Sequence, residues 1–264
     1  MNIRLYNARI LTMENPEITE GEVWVRDERI LYVGDGRDAV CRKQEPESIV
    51  WDREIDCEGN LLMPGFKDAH THSGMTLLRS YADDMPLQSW LNEQIFPVEA
   101  KLTGEMVGHL TKLAVLEYLT SGITAVFDMY LTPETIADAC VETGMRCVQV
   151  GGVNNFSQSA EMVEELFQSL NKKHPLLSYR LGFHAEYTCS RELLERIAAL
   201  AHKYQAPVYA HLSETEPEVE SCRERYGMTP PVFLDSLGIF DYGGGGYHCV
   251  HMTEADMEIF RKRG

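Results

Sequence analysis

The sequence predicts an α/β protein whose larger part is an incomplete (β/α)8 barrel of the TIM type, preceded by a small unit of β-strands. Two patterns lead to this fold class. Residues 1–60 hold short alternating or apolar runs between turn-forming residues, which is typical of antiparallel sheets. From residue 61 onward strands alternate with helices, which indicates right-handed βαβ units and a parallel sheet.

The first 60 residues are expected to form β-hairpins. Residues 3–11 and 23–33 are strand-like, and residues 26–29, which include Asp27, are the predicted turn. A third run, residues 49–57, leads into a Glu-Gly-Asn turn signal.

The rest of the chain is expected to supply six strands with helices between them. The predicted strands are residues 61–70, 123–129, 146–153, 177–184, 207–212 and 247–250. The predicted helices are an apolar-periodic run within residues 107–118, a helix framed by Pro133 and Gly144, and residues 160–172, 191–204, 215–226 and 253–263. Four glycines at 243–246 precede the last strand and are expected to weaken it.

A complete barrel would need more chain than this. The (β/α)8 fold has eight strands and typically spans about 250 residues, whereas about 204 residues follow residue 60 here. We therefore expect about six of the eight βα units and a chain truncated at its C-terminal end. An open, doubly wound sheet is the alternative, although it would leave two strand edges unpaired.

The composition limits the partners. Lys and Arg number 24 against 41 Asp and Glu, giving a net charge of −17, which disfavours nucleic acid and anionic membranes. No apolar run is long enough to span a membrane, and the N-terminus lacks a signal-peptide layout, so we expect a cytoplasmic protein with a small-molecule substrate. The seven cysteines include no C-x-x-C pair, which argues against a disulfide framework.

Two histidines at the end of one predicted strand suggest a metal site. In residues 64–72, PGFKDAHTH, the alternation of a strand places His70 and His72 on one face, where two imidazoles can share one ion. Barrel enzymes hold their catalytic residues at the C-terminal ends of such strands. The alternative, two solvent-facing histidines in a loop, is disfavoured by further histidines at later strand ends.

Three more predicted strands end in candidate site residues. His211 ends strand 207–212 and is a candidate ligand, while Glu214, three residues later, could transfer protons. The alternative for Glu214 is an acid in the first turn of a helix. His248 is expected to face the metal in preference to His251, and His184 could contact substrate; each could instead be a structural histidine.

Several segments resemble a known family. Residues 64–72, 211–215 and 247–253 resemble the amidohydrolase superfamily. Residues 77–103 and 182–190 are similar to its 5-methylthioadenosine/S-adenosylhomocysteine deaminase and chlorohydrolase branch. The resemblance implies that residues 1–60 are the N-terminal part of a composite β-sandwich and that residues 61–264 are an incomplete metal-dependent hydrolase barrel.

The resemblance also implies roles for residues. By analogy, the ligands of one divalent metal, zinc or alternatively iron, are His70, His72 and His211. Glu214 matches the proton shuttle, and His248 matches the histidine that stabilises the attacked centre. Glu99 and His184 match substrate contacts of the family, and Glu99 would contact sugar hydroxyls. Trp90 is expected to line the substrate pocket.

The implied activity is the hydrolytic deamination of an aminopurine nucleoside such as 5'-methylthioadenosine, S-adenosylhomocysteine or adenosine, with release of ammonia. The family's last ligand, an aspartate after the eighth strand, and substrate-binding arginines after the third strand have no counterpart here. We therefore expect reduced or no activity of this chain alone. The alternatives are another amidohydrolase of the chlorotriazine or guanine type, or a non-catalytic remnant. A homo-oligomer is also consistent with the sequence.

Overall fold

The computed structural model describes residues 1–35 and 49–264, which form two compact units, Met1–Gly65 and Phe66–Gly264. Cys41 lies outside the described residues, and the six cysteines within them are free thiols, as the spacing predicted. None of the helices in the described ranges combines the length and apolar character that a membrane span requires.

The first unit is a five-stranded sheet. Its strands are β1 (Asn2–Leu11), β2 (Ile18–Arg26), β3 (Arg29–Gly34), β4 (Arg53–Asp56) and β5 (Leu61–Leu62). β2 lies antiparallel to both β1 and β3, and the predicted turn at residues 26–29 joins β2 to β3. β4 and β5 run parallel to β1. Trp24 is fully buried and packs on Tyr32 and Trp51, which anchors one face of the sheet.

The predicted strand at residues 61–70 is wrong, because the chain forms two separate strands there. β5 pairs with β1 in the first unit, whereas β6 (Phe66–Thr71) belongs to the second. Pro64 lies between them and has no backbone N–H to donate to a ladder, so the pairing is interrupted. Leu61 is 41% exposed, so this segment is not a strand buried on both faces.

The second unit is a curled parallel sheet. After β6 its strands are β7 (Ile123–Asp128), β8 (Arg146–Val150), β9 (Leu177–Ala185), β10 (Val208–Leu212) and β11 (Gly244–His248), paired in chain order. β6 and β11 are the two ends of this order, yet His70 of β6 stacks on Tyr247 of β11 with ring centroids 3.9 Å apart. The sheet is therefore a nearly closed barrel of six strands, which confirms the partial TIM barrel and excludes an open sheet.

Helices cover the strands. They are α1 (Gly104–Thr120), α2 (Pro133–Thr143), α3 (Ala160–Lys173), α4 (Arg191–Tyr204), α5 (Glu216–Tyr226), α6 (Pro230–Ser236) and α7 (Glu254–Arg263). Shorter helical segments occupy the loops, at Ser73–Leu78, Leu87–Ser89, Trp90–Ile95, Phe96–Glu99 and Glu186–Thr188. Gly144 ends α2 in the left-handed conformation, with a φ of 77°, as the Pro133 and Gly144 frame predicted. The helix α6, which has only seven residues, was not predicted.

The glycine run has a steric reason. The predicted strand 247–250 is displaced, because β11 spans Gly244–His248 and Cys249 turns away with a φ of 52°. A Cβ atom on Gly244 would come within 2.2 Å of the Val208 carbonyl oxygen, and one on Gly246 within 2.8 Å of the Leu212 Cβ. Glycines therefore allow β11 to lie against β10. They were expected to precede the last strand and weaken it, whereas Gly244–Gly246 form most of that strand.

Candidate active site

Four histidines converge at the carboxyl end of the barrel strands. The ring centroid of His70 lies 4.7 Å from that of His72, 4.9 Å from His211 and 5.0 Å from His248. These side chains come from the ends of β6, β10 and β11, so the curl of the sheet brings together residues far apart in sequence. We call these four residues the rim cluster.

Two members of the rim cluster are fixed by backbone carbonyl groups. Nδ1 of His72 donates to the Met129 carbonyl at 2.5 Å, and Nδ1 of His211 donates to the His184 carbonyl at 2.7 Å. Because a carbonyl only accepts, Nδ1 must carry the proton in both rings, which leaves a lone pair on each Nε2. Proteins usually orient a metal-binding histidine in this way, with a hydrogen bond from the ring nitrogen that does not bind the metal.

The two free nitrogens face each other. Nε2 of His72 and Nε2 of His211 are 3.4 Å apart with no proton to share between them. Two nitrogens bound at about 2.0–2.1 Å to one tetrahedral zinc ion would lie about 3.3–3.4 Å apart. The spacing of these two nitrogens therefore fits a shared cation.

The side chain of His70 has no hydrogen-bond partner. Both of its ring nitrogens are buried and unpaired, an arrangement that costs free energy unless a ligand completes it. Ligand nitrogens of His70, His211 and His248 lie within 4.8 Å of one another, and within residues 1–35 and 49–264 they form the sole such triple of potential ligands. The structure thus groups His70 and His211 with His248, and it separately places Nε2 of His72 3.4 Å from Nε2 of His211.

Burial favours the neutral imidazole at His70, His72, His184 and His211. Loss of water, together with the neighbouring histidines, lowers the pKa of His70 to about 3 and that of His184 to about 4. Burial also lowers the pKa of His72, and that of His211 lies well below its ordinary value. Neutral imidazole is the form that binds a metal ion, so the electrostatics agree with the geometry.

Glu214 lies beside His248. Its Oε1 atom is 3.6 Å from Nε2 of His248, and burial raises the pKa of the Glu214 carboxyl. The following helix, α5, begins at Glu216 with Thr215 as its cap, so Glu214 does not lie in the first helical turn. The helix-dipole explanation for this acid is therefore wrong, and a paired acid and imidazole face the same space.

A cavity of about 820 Å³ opens next to the rim cluster, within the size range of small-molecule sites. The predicted substrate residues Trp90, Glu99 and His184 all line it. Burial raises the pKa of the Glu99 carboxyl. Among the described lining residues Glu99 and Glu214 are carboxylates, and none is Lys or Arg.

Further lining residues were not singled out from the sequence. Tyr130, Tyr187 and Phe156 line the cavity, and Phe156 is 89% exposed. Tyr130 lies two residues beyond the end of β7, and Tyr187 lies two residues beyond the end of β9. Proximity to a strand end was therefore the signal that could have identified the two tyrosines.

The fold and the rim cluster together define the class of this protein: an α/β barrel that presents neutral histidines suited to a metal ion at its carboxyl end. The profile of the amidohydrolase family matches residues 61–264. The chain therefore belongs to the amidohydrolase family.

Relatives of known name agree with this assignment. The chain is 40% identical, over 98% of its length, to a 5-methylthioadenosine/S-adenosylhomocysteine deaminase of Pelotomaculum thermopropionicum, of which it covers 60%. The chain thus spans about 60% of the length of the curated relatives it matches.

Solved structures share the fold. A zinc-bound adenosine deaminase from Xanthomonas campestris superposes with a TM-score of 0.88 at 31% identity, covering 100% of this chain and 60% of that one. A triazine hydrolase from Arthrobacter aurescens gives a TM-score of 0.84 at 20% identity, with coverages of 100% and 64%. At that identity the second likeness supports the fold alone.

Proposed function

We propose that this protein provides the metal site and substrate cavity of an aminopurine nucleoside deaminase that releases ammonia by hydrolysis. Candidate substrates are adenosine, 5'-methylthioadenosine and S-adenosylhomocysteine. The observation that carries the proposal is the pair of Nε2 lone pairs of His72 and His211, 3.4 Å apart, beside a cavity that also holds Glu214 and His248. We expect reduced or no turnover from this chain alone.

The residues that would hold the cation are His70, His72 and His211. One divalent ion is expected, with zinc favoured because imidazole nitrogens suit it, and iron as the alternative. Such an ion supplies Lewis-acid activation of water near neutral pH. The carbonyl contacts of His72 and His211 keep their rings in the tautomer that the ion requires.

Glu214 and His248 would act on the purine ring. Because burial raises its pKa, the Glu214 carboxyl holds a proton closer to neutral pH and donates it to a ring nitrogen. His248, 3.6 Å from this carboxyl, stabilises the charge that develops at the attacked carbon. Glu99 accepts hydrogen bonds from sugar hydroxyls, His184 contacts the base, and Trp90 packs against the ligand.

The first experiment measures metal content and ligand binding. We expect about one equivalent of zinc per purified chain, and adenosine binding by calorimetry to the zinc-loaded protein. His211→Ala should remove most of the zinc, whereas His109→Ala, an exposed residue on α1, should not change it. A chain that binds neither zinc nor adenosine would be a non-catalytic remnant. Preferential binding of guanine or a chlorotriazine would assign it to another branch of the family.

A further inference from the structure

We propose that Glu218, a residue of α5 outside the cavity lining, is the positioning residue that holds Glu214 against His248. The role of Glu214 as proton donor rests on the proposed function, but the positioning itself does not. It rests on two contacts of the Glu218 carboxylate and on the backbone conformation of the loop that follows β10.

The carboxylate of Glu218 reaches back to this loop. Its Oε1 atom accepts a hydrogen bond from the Ser213 N–H at 2.8 Å, and its Oε2 atom accepts one from the Glu214 N–H at 2.9 Å. Glu218 is only 4% exposed, so these charge-assisted bonds form away from water, where they are strong.

The loop needs this support because of its conformation. Ser213 has a φ of 48°, in the left-handed region that a residue with a side chain adopts only when its surroundings enforce it. Successive N–H groups around such a residue form a concave site for an anion. The carboxylate of Glu218 occupies that site, and so it fixes the direction in which Glu214 leaves the backbone.

The same loop is tied to the end of β11. The Cys249 N–H donates to the Leu212 carbonyl at 3.0 Å, and the His251 N–H donates to the Ser213 carbonyl at 2.9 Å. Both bonds lie within three residues after His248, whose φ of 69° is also left-handed. Glu218 therefore supports a pair of linked loops, one carrying Glu214 and the other carrying His248.

A substitution that keeps the shape of Glu218 tests the proposal. In Glu218→Gln the side-chain amide can accept from only one of the two N–H groups and points a donor at the other. Glu220→Gln is the matched control, since it makes the same charge change on the exposed side of the same helix. We expect zinc affinity to stay within about threefold in both variants, because carbonyl contacts and β10 hold His211 independently.

The adenosine affinity of the zinc-loaded protein distinguishes a role of Glu218 in positioning Glu214 from a role in stabilising the fold. Glu218→Gln should weaken it about tenfold, as expected for one lost charge-assisted bond, and Glu220→Gln should not. In a Glu214→Gln background the additional effect of Glu218→Gln should fall below about twofold, because both changes act on the same contact. Equal effects of Glu218→Gln in the two backgrounds would overturn the proposal.

Crystal structures decide the matter even if adenosine does not bind, an outcome that would reject only the proposed function. In Glu218→Gln we expect Ser213 to leave the left-handed region and the distance between Glu214 Oε1 and His248 Nε2 to exceed the present 3.6 Å. An unchanged loop, with the two side chains still at that distance, would contradict the positioning role.

Discussion

Two groups of polar side chains lie near the carboxyl ends of the barrel strands, and they differ in whether their members form hydrogen bonds with one another. Glu186 is fully buried, and its two carboxylate oxygens accept hydrogen bonds from Arg225, each at 2.8 Å. In the rim cluster, His70 has no partner, and the Nε2 atoms of His72 and His211 present lone pairs to each other. Because buried polar groups are normally paired, the unsatisfied group is the candidate for a ligand-binding site.

The largest expected effect comes from breaking the satisfied group. Arg225→Met would leave the Glu186 carboxylate buried without its partner. We expect the free energy of unfolding to fall by about 3 kcal/mol, at the low end for such pairs because Arg225 is partly exposed. Arg223→Met, on the exposed side of α5, is the control. Urea denaturation of the three proteins measures this, and a loss equal to that of the control would show that the pair contributes nothing.

A pH-dependent effect is expected from Asp128, an intermediate case. Oδ1 accepts from the Ser73 N–H at 3.3 Å, Oδ2 is unpaired, and burial raises the carboxyl pKa to about 7. Since the folded pKa exceeds the unfolded one, the protonated form gives stability that is present below pH 4 and lost as the pH rises through 7.

Asp128→Asn should remove this dependence. Relative to the unaltered protein, the variant should gain about 2 kcal/mol of unfolding free energy between pH 5 and pH 8. Histidines that titrate in the same range cancel in the difference between the two proteins. Denaturation curves at both pH values provide the measurement, and a difference independent of pH would contradict the raised pKa.

The charge of the ligand is expected to affect binding in the cavity, because the described residues of the cavity lining also lack partners for an added negative charge. Glu99 and Glu214 line it, and no Lys or Arg does so within the part of the chain that the structure describes. A ligand carboxylate would therefore add another charge without a partner. We expect S-adenosylhomocysteine to bind about tenfold more weakly than 5'-methylthioadenosine in calorimetry, with adenosine as the reference ligand. Equal affinities would mean that the carboxylate remains in solvent.

The smallest effect should have the opposite sign to the first. His70→Leu removes two unpaired buried nitrogens, so the metal-free protein should become about 1 kcal/mol more stable. The same change should abolish the increase in melting temperature that zinc produces in the unaltered protein. Thermal melts with zinc and with a chelator test both statements, and a destabilised metal-free variant would show that stacking on Tyr247 outweighs the unpaired nitrogens.

The sequence reveals the order of strands and helices because hydrophobic periodicity and the glycine and proline signals are local properties. It also indicates His70, His72, His211 and His248, since each lies in or next to a predicted strand, and parallel strands place their carboxyl ends on one side. The buried carboxylate of Glu218 is not predictable in this way. Its partners are backbone N–H groups whose direction depends on the φ of Ser213, which no pattern of residue types specifies.

Contacts across the barrel are equally hidden. Tyr247 stacks on His70 only because the sheet curls until its first and last strands approach each other. The interruption of the strand at Pro64 was predictable in principle, because proline cannot donate a hydrogen bond to a neighbouring strand. The apolar residues before Pro64 instead suggested one continuous strand. Sequence patterns therefore fail to predict contacts that depend on tertiary geometry and not on the local preference of the chain.

The three glycines of β11 leave this strand without side chains that distinguish its two faces until Tyr247. A sliding error of a single residue during folding would therefore meet little resistance along Gly244–Gly246, and it would turn His248 away from its companions. The ring of Tyr247, the first side chain of β11 after the glycines, stacks on His70, and a shift of one residue would break this contact. The register of β11, and with it the position of His248 in the rim cluster, is thus linked to the packing of a neighbouring aromatic residue.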